Sequence, residues 1–371
     1  MSSHQAHGLG TEPVEPDWAP LTDAEVTDVV GPARVVWRSP RPLSAAAVVE
    51  RDGRRLFVKR HHITVRTLEG LAEEHAFLRY LRERGAPVVE VLDAVARGEW
   101  TYEVHSTGVG TDLYRDALSW SPFRSAGHAR AAGEALARLH LAAEGFEAPR
   151  RQVQPLVASF TVFAADDPWA ALERYITERP QLTDGIWDFP WHEDTDRVLI
   201  PLHKELAPHL AGLSPLWTHN DWHASNLLWD EEEGRVSTVL DFGMSDRTTA
   251  VHDLATAIER NAVQWLQPGC PVREEDAVAL LDGYQSVRPL SPAESAALPA
   301  LLPLVHAEFA LSELGYFHGV TRSAENTRLA YEYYVGHAEW FAGRDGRRLL
   351  DVVSYAVGAA GRRGSTARTL R

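Results

Sequence analysis

The sequence predicts an α+β protein with two lobes, a small β-rich N-terminal lobe and a larger, mostly helical C-terminal lobe. Strand-like segments with turn signals are concentrated before residue 105, whereas helical periodicity dominates after residue 123. A chain of 371 residues with 44% hydrophobic content is also long enough to bury two moderate cores. We expect a disordered tail at residues 1–22, the N-lobe at 23–105, the C-lobe at 106–350, and a helix end with a tail at 351–371.

The N-lobe is predicted to be a compact α+β unit in the order strand, strand, helix, strand, strand, with one further strand-like run at its start. After a first β-prone run, "ARVVWRS", two more runs flank Asp52-Gly53, which is a strong hairpin signal and places Lys59 at a strand end. The next segment has apolar residues at helical spacing and ends at Gly85, which indicates an amphipathic helix. Two further strands are predicted on either side of Arg97-Gly98.

The C-lobe begins with a clear helical pattern, "SAGHARAAGEALARLHLAA". Residues 150–200 are rich in Pro, Trp and Asp and are interpreted as an insertion or a lid. A helix then precedes the polar stretch "THNDWHASNLLW", a hairpin turning at Glu233-Gly234 follows it, and helices continue to about residue 345.

Composition disfavours several classes of partner. With 52 acidic and 37 basic residues the formal net charge is −15, which argues against nucleic-acid binding and suits a cationic or neutral ligand. Cys270 is the single cysteine, so we expect no intramolecular disulfide and a cytoplasmic location. No targeting signal or apolar run of membrane-spanning length is present, and we expect a monomer or homodimer without membrane association.

The positive charges are almost all Arg, and the chain contains only two lysines, Lys59 and Lys204. A lysine that persists in such a sequence suggests a requirement for a compact ammonium group, although either residue can also be an ordinary surface charge.

Three polar residues are predicted to converge at the mouth of one hairpin. Asp221 and Asn226 precede this hairpin, and Asp241 follows it at the end of the apolar run "VLDFG". Their oxygen atoms suit Mg²⁺, which takes few protein ligands when phosphates and water supply the rest. Upstream, Lys59 and Glu74 offer an ion pair that would hold nucleotide phosphates.

This combination resembles the kinase-like phosphotransferases, specifically the aminoglycoside phosphotransferase and choline kinase family. The matching residues are Lys59, Glu74, "HNDWHASN" and "DFG", and the likeness spans about residues 30–345. The family has glycine where this chain has Asn220, which places the backbone of the loop in question. Asp253 follows Asp241 by twelve residues, as a loop-bracing Asp does in the family.

The resemblance implies a two-lobed protein-kinase-like fold that binds ATP and Mg²⁺ between the lobes and phosphorylates a hydroxyl of a small molecule. It implies that Asp221 orients or deprotonates the acceptor, that Asn226 and Asp241 bind magnesium, and that Lys59, positioned by Glu74, contacts the phosphates. His219 would be a structural member of the loop and Asp253 its brace.

Two parts of the nucleotide site are less closely specified. The segment "WRSPRPLSAAAVV" has no glycine, so the resemblance implies that Ser39 or Ser44 contacts the phosphates in place of a Gly-rich loop. The base would meet backbone groups between Val104 and Thr107, which makes Val104 and His105 candidate binding residues.

Several alternatives remain open from the residues alone. One is the metal site of a hydrolase, because every second residue of a short strand can face one ion, and His219, Asp221 and His223 have this spacing. Another concerns the partner of Lys59, since Glu73 competes with Glu74 for that role. The segment 304–319 is either a wall of the acceptor pocket or simple packing, and its polar residues are His306, Glu308, Glu313 and His318. The acidic side chains of the 150–200 insertion would bind an amine or only water.

The acceptor is the least defined part of the prediction. An antibiotic or a related amine- or sugar-bearing metabolite is the leading hypothesis, for self-resistance or a biosynthetic tailoring step, because the acidic balance suits an amine. Choline, homoserine, sugar and thiosugar kinases share these motifs. A Ser/Thr peptide or protein kinase and a non-catalytic nucleotide-binding protein are the alternatives.

Overall fold

The structure is a computed structural model that describes residues 16–41, 43–115, 117 and 119–369, with only the backbone for residues 359–369. The N-lobe contains a five-stranded antiparallel sheet in the order β1-β2-β3-β5-β4 and two helices. Its elements are α1 (Asp23–Val30), β1 (Arg34–Arg38), β2 (Ala45–Arg51), β3 (Arg54–His62), α2 (Leu68–Glu83), β4 (Val91–Arg97) and β5 (Trp100–Ser106). The predicted strands and helix of this lobe are therefore confirmed.

The β2–β3 turn shows why the sequence forms a tight hairpin there. Asp52 and Gly53 both have positive φ, 51° and 72°, as the mirror-image two-residue turn requires. Asp tolerates this region and Gly has no steric penalty in it. The turn fixes a register in which Ala46 lies opposite Lys59.

The two faces of the N-lobe sheet differ in chemistry. On one face Val49, Val58 and Val104 pack against Val26 and Val30 of α1 in a separate small core. Neighbouring residues along a strand point to opposite faces, so Lys59 and its cross-strand partner Glu103 lie on the other face, towards α2. That second face is lined by buried polar groups, and it borders the cleft between the lobes.

The C-lobe contains eleven of the described α-helices and two small antiparallel ladders, β6–β9 and β7–β8. Its strands are β6 (Pro215–Thr218), β7 (Leu227–Asp230), β8 (Arg235–Val239) and β9 (Asp246–Thr249). Its helices are α3 (Ala126–Ala143), α4 (Pro168–Thr177), α5 (Pro180–Ile186), α6 (Trp191–Asp194), α7 (Ile200–Leu210), α8 (Ala250–Ala262), α9 (Glu274–Val287), α10 (Pro292–Leu301), α11 (Ala307–Tyr316), α12 (Ala324–Ala342) and α13 (Arg344–Thr369). None of the helices in the described ranges is long and apolar enough to cross a bilayer.

Helices α3 and α9 approach each other closely because each has a glycine at the contact. A Cβ on Gly133 would lie 2.0 Å from the Leu280 carbonyl oxygen, and a Cβ on Gly283 would lie 2.0 Å from that of Arg130. Only glycine fits at such backbone-to-backbone contacts. The pair fixes α3, whose His140 Nε2 lies 3.0 Å from Asp253 Oδ2 of α8.

The two predicted tails differ from the structure. Residues 1–15 lie outside the described residues, but Leu21 is buried in the small N-lobe core, Trp18 stacks on His62, and Asp17 accepts a hydrogen bond from Tyr316. The expectation of a tail to residue 22 was based on Pro and Gly content and missed these contacts. At the other end α13 runs to Thr369, where Ala and Arg residues favour helix.

Candidate active site

The loop between β6 and β7 is held by one buried carboxylate from α8. Asp253 accepts hydrogen bonds from the backbone N–H groups of His219 and Asn220, each at 2.8 Å, and contacts His140 Nε2 at 3.0 Å. Burial raises the pKa of Asp253, but its hydrogen bonds and the nearby His140 and His219 bring it below its ordinary value. The carboxylate is therefore ionised, and its contacts fix the start of the loop.

Asn220 explains how the loop forms without the family's glycine. Its φ is 60°, in the left-handed region that Asn tolerates better than most residues. The buried side chain accepts hydrogen bonds from Thr218 Oγ1 at 3.0 Å and Thr248 Oγ1 at 3.1 Å. These bonds stabilise a conformation that glycine would adopt without help.

His219 is fully engaged inside the loop. Its Nε2 donates to the Leu240 carbonyl at 2.9 Å and its Nδ1 accepts from the Asp221 N–H at 3.1 Å. Burial lowers its pKa, which agrees with a neutral ring. With both nitrogens occupied, and with His223 Nδ1 bonded to Ser225 Oγ at 2.8 Å, the alternative metal site of a hydrolase is not formed.

Asp221 and Asn226 lie in direct contact. The Asn226 amide N–H₂ donates to the backbone carbonyl and to Oδ2 of Asp221, both at 3.0 Å. None of the hydrogen bonds found within the described residues uses Asn226 Oδ1, so this oxygen can ligate a cation. The hairpin then returns the chain, since the Leu240 N–H donates to the Asn226 carbonyl at 2.9 Å, and Asp241 follows directly.

Asp241 and Lys59 form the ion pair that joins the two lobes. Lys59 Nζ lies 3.1 Å from Asp241 Oδ1, and Asp241 has a φ of 54°. Burial raises the pKa of Asp241, but the Lys59 charge and hydrogen bond offset this and hold the pKa at about 2. Burial alone lowers the pKa of Lys59, yet Asp241, Glu103 and Glu74 together raise it above its ordinary value. Both groups are therefore charged at neutral pH.

Lys59 pairs with Asp241 and not with Glu74, the partner that the family resemblance implied. Glu74 Oε2 lies 3.5 Å from Arg151 Nη2, so the predicted Lys59–Glu74 ion pair is not formed. The competing Glu73 also points to Arg151, at 3.8 Å. The physical reason is that the buried Arg151 guanidinium needs anionic partners, while Lys59 already faces Asp241 and its cross-strand neighbour Glu103. Glu74 acts on Lys59 only through its charge.

A cavity of about 380 Å³ lies between the lobes and contains the predicted nucleotide residues. Lys59, Glu74, Asn226, Asp241, Ser39 and Ser44 all contribute to its wall. Ser39 Oγ accepts a hydrogen bond from the Arg41 N–H at 3.2 Å, which shapes the β1–β2 loop above the cavity. The cavity falls in the size range of small-molecule and cofactor sites.

The two residues predicted to meet the base lie within a strand of the N-lobe sheet. Val104 and His105 sit inside β5, which pairs with β3 on one side and β4 on the other, and Val104 is in the small apolar core. Their backbone groups are therefore committed to the sheet. Past Ser106, residues 107–110 cross to the C-lobe, and Thr107, Gly108 and Gly110 line the cavity. Of the two predicted residues, only His105 lines the cavity.

Sequence reasoning missed two arginines beside the predicted site residues. Arg260 of α8 forms an ion pair with Asp221, and Arg41 in the β1–β2 loop lines the cavity and donates to Ser119 Oγ. Burial lowers the pKa of Arg41, and the charges of Asp112 and Asp241 oppose this. Arg260 had a detectable signal, because it follows Asp253 by two helical turns and so lies on the same face of α8.

Helix α11 contributes packing and one unpartnered carboxyl group. Glu308 accepts bonds from the Ser159 hydroxyl and the Thr161 and Val162 N–H groups, so it shapes a neighbouring loop. Glu313 is buried, its Oε2 has no hydrogen-bonding partner within the part of the chain that the structure describes, and burial raises its pKa to about 8 although Arg260 opposes the shift. In the insertion, Asp194 accepts a hydrogen bond from the Tyr331 hydroxyl and Asp196 accepts one from the Trp169 indole N–H.

Comparison with known families and structures gives a consistent match. The sequence model of the phosphotransferase enzyme family matches residues 44–290. A homoserine kinase of Agrobacterium fabrum is 30% identical over 190 residues, 49% of this chain and 50% of that protein. One from Methylocella silvestris is 30% identical over 209 residues, covering 54% and 56%. The chain thus spans about half the length of the curated relatives it matches.

Solved structures share the fold at low sequence identity. An amicoumacin kinase in complex with AMP-PNP, Ca²⁺ and its ligand superimposes with a TM-score of 0.53 at 17% identity, covering 81% of this chain and 87% of that one. A microcompartment-associated aminopropanol kinase gives 0.52 at 19% identity, covering 86% and 94%. A Plasmodium vivax ethanolamine kinase gives 0.55 at 9% identity, covering 84% of each. These similarities confirm the two-lobed kinase-like fold.

Proposed function

The chain belongs to the phosphotransferase enzyme family, and from that premise we propose that it transfers the γ-phosphoryl group of ATP to a hydroxyl of a small molecule. The observation that supports this most directly is the meeting of Lys59 and Asp241 across the cavity, with Asn226 and Asp221 on the adjoining loop. Phosphoryl transfer depends on alignment and charge neutralisation, and this arrangement supplies both.

The residues present fit the magnesium that this reaction uses. Asp241 is ionised with a pKa of about 2, and Asn226 presents an amide oxygen from the adjacent strand end. Hard oxygen ligands of this kind suit Mg²⁺, and two protein ligands suffice when phosphates and water complete the shell. When bound, the ion supplies charge neutralisation at the phosphates. Lys59, the Ser39–Ser44 loop and Arg41 would hold the phosphates from the N-lobe side.

Asp221 is proposed to orient the acceptor hydroxyl and accept its proton. Its carboxylate is kept in place by the Asn226 amide and by Arg260. Arg260 is buried, with its guanidinium 5.0 Å from the Phe309 ring centre and 5.4 Å from that of Trp120. These contacts fix the position of the carboxylate that is proposed to accept the proton.

We propose an amine-bearing acceptor, which includes the antibiotic-type substrates favoured by composition. Glu313 lies within the electrostatic range of Arg260 and has an unpartnered Oε2. An ammonium group beside it would satisfy a buried polar atom that otherwise costs about 1–3 kcal/mol. A cytoplasmic enzyme that acts as a monomer or homodimer remains part of this proposal.

A second candidate is a hydroxy amino acid such as homoserine. Arg260 favours it, because a guanidinium next to the catalytic carboxylate can bind the carboxylate of an acceptor as a bidentate pair. The homoserine kinases matched above share about half of their length with this chain, so their substrate enters only as a hypothesis. A peptide kinase is disfavoured, since Glu313 and Arg260 are buried.

The test is incubation of the full chain with Mg-ATP and a panel of hydroxyl acceptors, following ADP release and product mass together. The panel contains aminoglycosides, nucleoside antibiotics, choline, homoserine, sugars and Ser/Thr peptides. A gain of about 80 Da on one compound, as γ-phosphoryl transfer requires, identifies the reaction and the acceptor. Absence of both nucleotide binding and turnover across the panel would contradict the proposal.

A further inference from the structure

The polar face of the N-lobe sheet contains a group of side chains that the phosphotransfer site does not use. His75 of α2 and Glu103 and His105 of β5, here called the histidine cluster, are 3%, 2% and 8% exposed. Their ligand-type atoms come together at one point, and the cluster forms part of the wall of the nucleotide cavity through Glu103 and His105.

The three atoms form a nearly equilateral triangle. Glu103 Oε2 lies 3.0 Å from His75 Nε2 and 3.1 Å from His105 Nε2, and the two nitrogens lie 3.4 Å apart. A tetrahedral zinc ion with bonds of about 2.0–2.1 Å places its ligand atoms about 3.3–3.4 Å from each other. The three distances in the structure are thus within about 0.4 Å of those between the ligand atoms of a zinc site.

Hydrogen bonding alone does not satisfy all three contacts. If both His75 and His105 carry a proton on Nε2, Glu103 Oε2 accepts both, and the 3.4 Å contact between the two nitrogens holds no hydrogen bond. If one of them lacks that proton, its lone pair faces a carboxylate oxygen at 3.0 or 3.1 Å. A cation between the two nitrogens and the carboxylate oxygen removes this conflict, because each of the three atoms then directs a lone pair at the metal.

We propose that His75, Glu103 and His105 bind a transition-metal ion, zinc by ligand type, that joins α2 to β5 at the wall of the nucleotide cavity. Two imidazoles and one carboxylate with a remaining open position form a ligand set found in zinc sites. His61 Nε2 lies 2.9 Å from Glu103 Oε1 and acts as the outer partner that orients the carboxylate. The lysine on the same face, Lys59, stays paired with Asp241.

The second comparable group in the described residues lacks this geometry. In Glu259, His306 and His337, Nδ1 of His306 is 3.8 Å from Glu259 Oε1, and the two imidazole rings lie almost over each other with centres 3.9 Å apart. Trp265 stacks on the outer side of His337 at 3.7 Å. Overlapping rings do not aim two lone pairs at one ion, so only the histidine cluster supports the proposal.

The proposed ion would connect α2 to the sheet, which is the task expected of an ion pair between Glu74 of α2 and Lys59 of β3. Glu74 of α2 pairs with Arg151, so the helix has no salt bridge to Lys59. The histidine cluster instead attaches α2 to the sheet one strand further on, through His75. Loss of the metal is therefore expected to loosen α2 while leaving the C-lobe intact.

The test is direct metal binding by the untagged full chain, without ATP or acceptor, so that its outcome is separate from that of the proposed activity. After chelator treatment the protein is titrated with Co²⁺, and visible d–d absorption typical of tetrahedral N/O ligation is expected at one equivalent. Zinc affinity is then measured by competition with a chromogenic chelator. The same measurements are made on His75→Gln, on His105→Gln and on His62→Gln as the matched control.

Wild type and His62→Gln are expected to bind one zinc ion, and each cluster variant to bind it at least about 100-fold more weakly. His62 is next to His61 but on the opposite face of β3, so it reports non-specific histidine effects. Circular dichroism identifies any variant that fails to fold. Equal zinc affinity in wild type and the folded cluster variants, or absence of tetrahedral Co²⁺ absorption, would overturn the proposal and leave a hydrogen-bonded network only.

Discussion

Two buried carboxylates, Asp253 in the C-lobe and Glu103 in the N-lobe, each have several hydrogen-bonding partners, and they differ in where those partners come from. In the C-lobe, Asp253 binds two consecutive backbone N–H groups and His140. In the N-lobe, Glu103 is surrounded by three histidine side chains from two strands and a helix. The first carboxylate fixes a backbone conformation, whereas the second joins secondary-structure elements through movable side chains.

This difference determines how each region should respond to change. Backbone N–H groups in a buried loop have no alternative partner and cannot rotate towards water. Histidine rings can turn, bond to each other or bind a metal. We therefore expect the C-lobe carboxylate to be much less tolerant of replacement than the N-lobe carboxylate.

The largest expected effect is that of Asp253→Asn. The amide can accept a hydrogen bond through only one oxygen and places an N–H₂ group against the donors of the loop, so we expect destabilisation by about 3–5 kcal/mol. Urea unfolding followed by tryptophan fluorescence measures it. Asp188→Asn, at an exposed position, serves as the control and should change stability by less than about 0.5 kcal/mol.

An intermediate effect is expected for Glu103→Gln in the N-lobe. The side-chain amide keeps one acceptor, and the histidines can reorient, so the loss should be about 1–3 kcal/mol in the same urea assay. The measurement is made after chelator treatment, so that a bound metal does not contribute. A greater loss for Glu103→Gln than for Asp253→Asn would reverse the comparison between the two carboxylates.

The smallest expected effect is a change in pH dependence from His223→Gln. Burial, with the Arg41 charge added, lowers the pKa of His223 from 6.5 to about 3. Because the folded pKa is depressed, the unfolded chain takes up a proton first, and stability is lost as pH falls below 6.5. The wild type should lose about 1.4 kcal/mol more per pH unit than the variant between pH 6 and pH 5. Equal slopes would show that His223 is accessible to protonation in the folded state.

The sequence predicted those parts of the site whose residues are close together along the chain. Strand ends, the hairpin and the spacing of Asp221, Asn226 and Asp241 follow from turn signals and periodicity, and the structure places Asn226 and Asp241 around one cavity. Asp253 also contacts the loop start, as the family resemblance implied. These features lie within a single segment from β6 to α8.

The parts that were missed depend on contacts between distant segments. Arg151 takes Glu74 away from Lys59, and it comes from a stretch that sequence patterns left irregular. The pairing of β5 with strands on both sides places the predicted base-binding residues Val104 and His105 inside the sheet, which periodicity alone could not show. Arg41 was unexceptional because arginine is the common cation throughout this chain.

The central claim, that Asp221 serves the transferred hydroxyl while the N-lobe and Asp241 hold the nucleotide, is tested most directly with Asp221→Ala. Turnover of the acceptor identified in the panel and the affinity for Mg-ATP are measured on the same folded protein. We predict that turnover falls by about 10²–10⁴-fold while nucleotide affinity stays within a few-fold of wild type. Turnover that survives the substitution would contradict the assignment of Asp221 and, with it, the proposed reaction at this loop.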